Sequence, residues 1–113
     1  MKIIIPSELQ IGSRKIKIRI SEKALGIADL QAQASIYEDI LRLSLKYEGY
    51  CRSNAIIFEN LLHEIVHFID RLYMRELEER QVGALGSGLA QALMSMDIEP
   101  DFSQIPKESS EDC

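Results

Sequence analysis

Two short stretches near the amino terminus have the hydrophobic patterns of β-strands. Residues 2–5 include a run of isoleucines that stops before Pro6, and isoleucines at positions 16, 18 and 20 alternate with basic residues. Alternation with a period of two is typical of a strand with one face on the core and the other in water. Because residues 7–13 contain Gly12 and connect the two stretches, the simplest prediction is an antiparallel pair.

A longer segment carries apolar residues at the three- and four-residue spacings of a helix. It begins near Ala55, with Ser53 or Asn54 as a suitable N-cap, and ends near residues 73–75. Apolar side chains cover almost every direction around its axis, which is typical of a helix buried in a core.

A second helical pattern runs from residue 79 to residue 96. Its apolar residues recur at spacings of three and four, and it contains glycines at positions 83, 86 and 88. Each glycine costs about 1 kcal/mol against alanine in a helix interior. We therefore expect a close backbone approach to a neighbouring element along this helix.

The first predicted helix contains three polar residues within its apolar pattern. His63, Glu64 and His67 form His-Glu-x-x-His, and the chain has no other histidine. Positions four apart share one helix face, so the two imidazoles can converge on one metal ion with Glu64 beside them as general base. Unpaired buried polar groups cost about 1–3 kcal/mol each, which favours a bound partner. The alternative is that the three side chains are solvated on the polar face of an amphipathic helix.

Catalytic zinc takes three protein ligands and leaves one position for water, so the pattern needs a third donor. Metzincins place Gly three residues and His six residues after the second histidine, where this chain has Asp70 and Tyr73. Asp70 follows on the same face, but three ligands from one straight helix would spread along its axis, so a supporting hydrogen bond or a surface position suits it better. Glu79 begins the next helix, which can pack antiparallel and bring its carboxylate over the metal. We expect Glu76 and Glu78 to face solvent.

Residues 55–96 resemble a known family. The segments Leu-Leu-His-Glu-Ile-Val-His-Phe-Ile-Asp (61–70) and Glu-Glu-Arg-Gln-Val-Gly (78–83) are similar to small phage and prophage zinc metallopeptidase-like proteins related to the ImmA/IrrE group. In that family a glutamate at the start of the helix after the motif completes the site, and a small or apolar residue follows three positions later, as Glu79 and Val82 do here. Met74 departs from the pattern, because a glycine is common in this turn.

The resemblance implies a ligand set and a reaction. It implies that His63, His67 and Glu79 bind Zn²⁺ and that Glu64 is the base of a zinc metallopeptidase of the gluzincin type. The activity would be hydrolysis of a peptide bond by a metal-activated water, on a regulatory protein of a mobile element. Members of such families can lose activity while keeping the motif, so the alternative is a catalytically silent zincin-fold binding or regulatory protein.

The expected fold class is α+β. It would be a minimal zincin-like domain, in which a small antiparallel N-terminal sheet packs on the metal helix and a following C-terminal helix. Residues 27–41 also fit a helical stripe, whereas Asp39–Ser44 alternates like a strand. Zinc hydrolases of this class often have a strand along the substrate cleft, which favours a strand over residues 39–44.

Composition and charge narrow the range of partners. The 113 residues suit one domain, and the 46% apolar and 27% charged fractions are those of an ordinary globular protein. With 18 acidic and 13 basic residues the formal net charge is −5, which disfavours nucleic-acid binding because that affinity comes from Lys and Arg facing phosphates. The longest apolar run is too short to cross a bilayer. We therefore expect no membrane partner and disfavour a nucleic-acid partner, while the resemblance implies a protein or peptide substrate.

Residues 97–113 are acidic, contain two prolines and have few apolar side chains. This composition predicts a domain over residues 1–96 followed by a flexible tail over 97–113. Cys51 and Cys113 are the only possible pair, and because Cys113 ends the tail we expect reduced thiols. The amino terminus lacks the pattern of a secretory signal, so the prediction is a cytoplasmic protein.

Overall fold

The structure is a computed structural model that describes residues 1–21, 31–74, 76–108 and 113. These residues form an α+β fold, as the sequence predicts. The strands are β1 (Lys2–Ile4), β2 (Glu8–Ile11), β3 (Arg14–Ile20), β4 (Ala32–Ser35), β5 (Ile40–Leu43), β6 (Lys46–Tyr47), β7 (Tyr50–Cys51) and β8 (Glu99–Asp101). The helices are α1 (Asn54–Ile69) and α2 (Glu79–Ser95), and a π-helical turn (Asp70–Met74) follows α1.

A four-stranded sheet in the order β2-β3-β5-β4 carries one side of the core. Strand β3 is antiparallel to β2 and parallel to β5, and β4 pairs antiparallel with β5. Ile18 lies opposite Leu41, and Ile20 lies opposite Leu43, and all four side chains are buried. The period-two prediction for β3 is confirmed, because its isoleucines are buried while Lys15 and its neighbours on the other face are not.

The predicted pairing of the two amino-terminal strands is wrong. Strand β1 pairs in parallel with β8, and the antiparallel neighbour of β3 is β2, which lies inside the predicted connection over residues 7–13. Gly12 explains the difference, because its φ of +61° allows a tight turn that brings residues 8–11 directly back onto β3.

The predicted strand over residues 39–44 is confirmed as β5. The competing helical stripe over 27–41 is wrong for residues 31–41, which form β4, a turn and the start of β5, and residues 27–30 lie outside the described residues. Strand β4, Ala-Gln-Ala-Ser, has little apolar or β-branched character. It is a strand because its backbone pairs with β5, with Ala34 opposite Leu41.

Both predicted helices are present, and they run antiparallel. The Ser53 hydroxyl accepts a hydrogen bond from the Ile56 N–H at 3.3 Å and caps α1 as predicted. At the start of α2, Glu79 contacts His67 and His63 of α1. Further along α2, Ser87 donates a hydrogen bond to Glu59, which lies nearer the start of α1. The inner side of α1 packs on the sheet through buried apolar side chains at Ile57, Phe58, Leu61 and Phe68.

Residues 97–108 are not a flexible tail, so that prediction is wrong. Strand β8 pairs with β1, the Ile20 N–H donates to the Pro106 carbonyl at 2.9 Å, and the Ile105 side chain is only 4% exposed. Few apolar residues are present, but Ile105 enters the core, and the backbone finds hydrogen-bond partners on two strands. The composition of the segment could not reveal either contact.

The expectation of reduced thiols is also wrong, because Cys51 on β7 and Cys113 form a disulfide. The bridge joins the last residue of the chain to the strand that precedes α1. The cysteines therefore no longer support a cytoplasmic location, and that location stays a prediction. No helix in the described part of the chain is long and apolar enough to cross a membrane.

Candidate metal centre

The Glu79 carboxylate lies between the two imidazoles of α1. Its Oε1 is 2.7 Å from Nε2 of His63, and its Oε2 is 2.9 Å from Nε2 of His67. One ligand atom from each of these three side chains lies within 4.8 Å of the others. The sequence predicted that Glu79, and not Glu78 or Asp70, would point between the histidines, and this geometric prediction is confirmed. Metal binding by the three residues stays a prediction.

The turn between the helices is what brings Glu79 to the histidines. Oδ1 of Asp70 accepts hydrogen bonds from the N–H groups of Glu76 and Leu77, both at 3.1 Å, and so holds the chain where it reverses. The side chain of Gln81 then accepts the Glu78 N–H at 2.8 Å, which begins α2 at Glu79. Asp70 therefore shapes the turn, a role that the sequence did not assign to it.

A close contact between the helices positions His63. A Cβ at Gly86 would lie 2.7 Å from the Cα of His63, a distance that real side chains essentially never show. Only glycine lets α2 approach this closely, which confirms the expected close approach at one of the three glycines. At Gly83 a Cβ would lie 3.8 Å from Cε1 of His63, which is an ordinary contact.

The donor set suits zinc. Two imidazole nitrogens and one carboxylate oxygen are the three protein ligands of one common class of catalytic zinc site, whereas Mg²⁺ and Ca²⁺ prefer oxygen ligands. The imidazoles of His63 and His67 are partly exposed, at 25% and 30%, and Glu79 is 70% exposed. A cation bound by these three groups would therefore remain open to solvent and to a substrate.

Glu64 has a different environment from the three proposed ligands. Its residue is 8% exposed, and burial raises the pKa of its carboxyl to about 7. The charge on Glu79 acts in the same direction, whereas His63 and a hydrogen bond from the backbone of Ala34 oppose the rise in pKa. A carboxyl with a pKa near 7 can exchange a proton at neutral pH, which is what a general base requires.

A groove of about 350 Å³ runs between β4 and the carboxyl-terminal end of α1. Its walls come from β4 and the turn after it, and from α1 and the π-helical turn, and are formed by Ala32, Gln33, Ala34, Ile36, Glu64, His67, Asp70 and Arg71. The predicted base and one predicted ligand therefore face a space that could hold a substrate.

One residue at the groove, Arg71, was missed by the sequence reasoning. Arg71 lines the groove, and its guanidinium donates to the Tyr37 hydroxyl at 2.9 Å and lies 5.6 Å from the centre of that ring. The contact with Arg71 connects Tyr37 to the groove. The position of Arg71, four residues after His67, was the signal that could have identified it.

Comparisons of the chain with protein families, with characterised proteins and with solved structures find no match. The resemblance to phage and prophage zinc proteins therefore stays a hypothesis, and the functional argument rests on the geometry of the site.

Proposed function

We propose that this protein is a zinc-dependent metallopeptidase that hydrolyses a peptide bond with a metal-activated water. The observation that carries the proposal is the convergence of His63, His67 and Glu79, from two different helices, next to the buried carboxyl of Glu64. These four side chains are of the types that zinc peptidases use, and two of them, Glu64 and His67, line the groove.

Each residue has a defined task in this proposal. Zinc, when bound, would supply Lewis-acid activation of the water and of the scissile carbonyl. Glu64 accepts the proton of the water as its oxygen bonds to the carbonyl carbon, and delivers that proton to the leaving amine as the C–N bond breaks. Glu64 lines the groove and directly follows His63 in sequence. Its raised pKa suits both the uptake and the release of the proton.

The groove favours an extended peptide as substrate. Strand β4 forms the edge of the four-stranded sheet among the described residues, and it lines the groove opposite α1. An edge strand offers backbone N–H and C=O groups to an added strand, which is a common mode of peptide recognition. The backbone of Ala34 also hydrogen-bonds Glu64, so a peptide lying along β4 would pass beside the base. A regulatory protein of a mobile element is the substrate that the family resemblance suggests.

A catalytically silent binding protein is the second candidate function. Glu79 contacts both histidines directly, at 2.7 and 2.9 Å, so these hydrogen bonds could join α1 and α2 without any cation. In that case the three side chains would stabilise the helix pair, and the groove would bind a peptide without cleaving it.

Zinc analysis and peptide hydrolysis by wild type and Glu64→Gln separate the two functions. Wild type should bind about one zinc per chain and cleave an unstructured protein substrate. Glu64→Gln preserves the side-chain shape and the three ligands, so zinc content should be unchanged while cleavage is lost.

Two results would contradict the peptidase proposal. Wild-type cleavage by Glu64→Gln would show that Glu64 is not the base. If wild type bound one zinc per chain but cleaved no peptide in a peptide library, the result would favour the silent binding protein. Glu59→Gln is the matched control, because this acidic residue of α1 contacts Ser87 and lies outside the groove walls.

A further inference from the structure

The outward side of α2 is free of charge. In a chain with 27% charged residues, residues 81–96 contain no Asp, Glu, Lys or Arg. At 100° per residue, six exposed positions fall on one strip of the helix surface. We call this strip the α2 stripe, and it consists of Gln81, Leu85, Gly88, Leu89, Ala92 and Met96, the last being the helix C-cap.

The large residues of the α2 stripe are unusually exposed for apolar side chains. Leu85 is 46% exposed, Leu89 is 47% exposed and Met96 is 63% exposed. The opposite side of α2 has Val82 and Ala90 buried against the fold at 1% and 0% exposure. The helix is therefore apolar on two sides, and only one of them is covered within the described residues.

No contact within the described residues requires a glycine at position 88. Gly86 is required by the approach to His63, but a Cβ at Gly88 would meet nothing within 4 Å. Glycine at this helix position costs about 1 kcal/mol relative to alanine. An open glycine between two exposed leucines is what a second helix needs in order to approach closely.

We propose that the α2 stripe is a homodimer interface, in which α2 pairs antiparallel with α2 of a second copy about a two-fold axis. The axis would pass between Gly88 and Leu89. This register places Leu89 opposite Gly88 of the other copy, Leu85 opposite Ala92, and Gln81 opposite Met96. Each leucine then meets a small residue, so one surface is complementary to itself, as a two-fold interface requires.

Charge also favours a second copy in this orientation. Neither stripe brings a charged group into the contact, so no charge has to be desolvated. Antiparallel packing places the positive amino end of each helix dipole beside the negative carboxyl end of the other. The charges beyond the stripe occur in pairs of opposite sign: Arg80 lies 3.8 Å from Glu78, and Asp97 lies 3.5 Å from the amino terminus. The two helix ends that approach each other therefore carry charges of both signs, and repulsion between like charges does not oppose the contact.

The interface leaves the metal centre accessible. Glu79 is on the side of α2 that faces α1, where it contacts both histidines. A pair of single helices is small beside the roughly 1,200–2,000 Å² of a standard interface, so we expect an equilibrium that depends on protein concentration.

Sedimentation equilibrium of the full oxidised chain tests the proposal. The apparent mass of wild type should rise from one chain to two with concentration. Leu85→Lys and Ala92→Glu should each abolish this rise, because each places an unpaired charge in the contact. The double variant should restore it, because in the antiparallel register the new lysine at position 85 of each copy would face the new glutamate at position 92 of the other. Ile56→Lys is the matched control, because Ile56 is 47% exposed but lies on α1.

A second variant tests the close approach at Gly88. Gly88→Leu should retain the fold, since the space around it is open, and should lose dimerisation. Circular dichroism and zinc content would verify that each variant is folded. A wild-type protein that is monomeric at all concentrations would overturn the proposal. So would a dimer that is insensitive to Leu85→Lys and Gly88→Leu, and failure of the double variant to associate would overturn the antiparallel register.

Discussion

Two sides of α1 have different environments. On the side that faces the sheet, Ile57, Phe58, Leu61 and Phe68 are 2%, 5%, 2% and 1% exposed and belong to the core. On the side that faces α2, the imidazoles of His63 and His67 remain partly exposed and contact Glu79. One helix therefore contributes to the core along one side and to the candidate metal centre along the other. The comparison indicates that the apolar side holds α1 in place, while α2 and β4 supply the partners of its polar residues.

The largest expected effect comes from a substitution on the apolar side of α1. Leu61→Ala removes a buried side chain and should lower the free energy of unfolding by about 2–5 kcal/mol, measured by urea denaturation. Ile56→Ala, at a residue 47% exposed on the same helix, should change it by less than about 0.5 kcal/mol. Equal effects of the two substitutions would contradict the division of α1 into a buried and an exposed side.

A similar loss is expected from the carboxyl-terminal segment, which contributes to the same core. Ile105 is 4% exposed and belongs to the same core cluster, so Ile105→Ala should cost about 2–5 kcal/mol of unfolding free energy. Thermal and urea denaturation of the oxidised protein would measure it. A change of only a few tenths of a kcal/mol would support the flexible tail that composition predicted.

A smaller effect is expected among the polar residues of α1, and it depends on pH. Because the pKa of Glu64 is raised from 4.5 to about 7, the folded metal-free protein holds a proton there that the unfolded chain releases. Stability should therefore fall as the pH rises from about 4.5 through about 7, and stay low above it. Glu64→Gln in the presence of a chelator should weaken this fall. Identical pH profiles of unfolding for the two proteins would contradict the raised pKa.

The helices and the local part of the site could be predicted from the sequence. Sixteen residues of α1 and seventeen of α2 carry enough apolar repeats to define them. His63, Glu64 and His67 need only the geometry of one helix. Placing Glu79 needed the turn after α1 as well, and Asp70, whose side chain holds that turn, was expected only to support a histidine or face solvent.

The strand partners and the groove could not be predicted, because both depend on contacts between distant residues. The pairing of Lys2 with Glu99 and the burial of Ile105 leave no periodic signal in so short a segment. The sequence Ala-Gln-Ala-Ser of β4 has none of the usual residues of a strand, yet its pairing with β5 makes it the wall opposite α1. Arg71, which lines that groove, contacts Tyr37 from a position 34 residues away.

Zinc titration of the metal-free protein tests the central claim most directly. Wild type should bind about one zinc per chain, and Glu79→Ala should weaken the affinity by a large factor because it removes one of three ligands. Glu76→Ala and Glu78→Ala are matched controls that remove the same charge nearby, and they should change the affinity far less. Wild-type zinc affinity in Glu79→Ala, or no zinc binding by wild type, would contradict the assignment of His63, His67 and Glu79 as the metal centre.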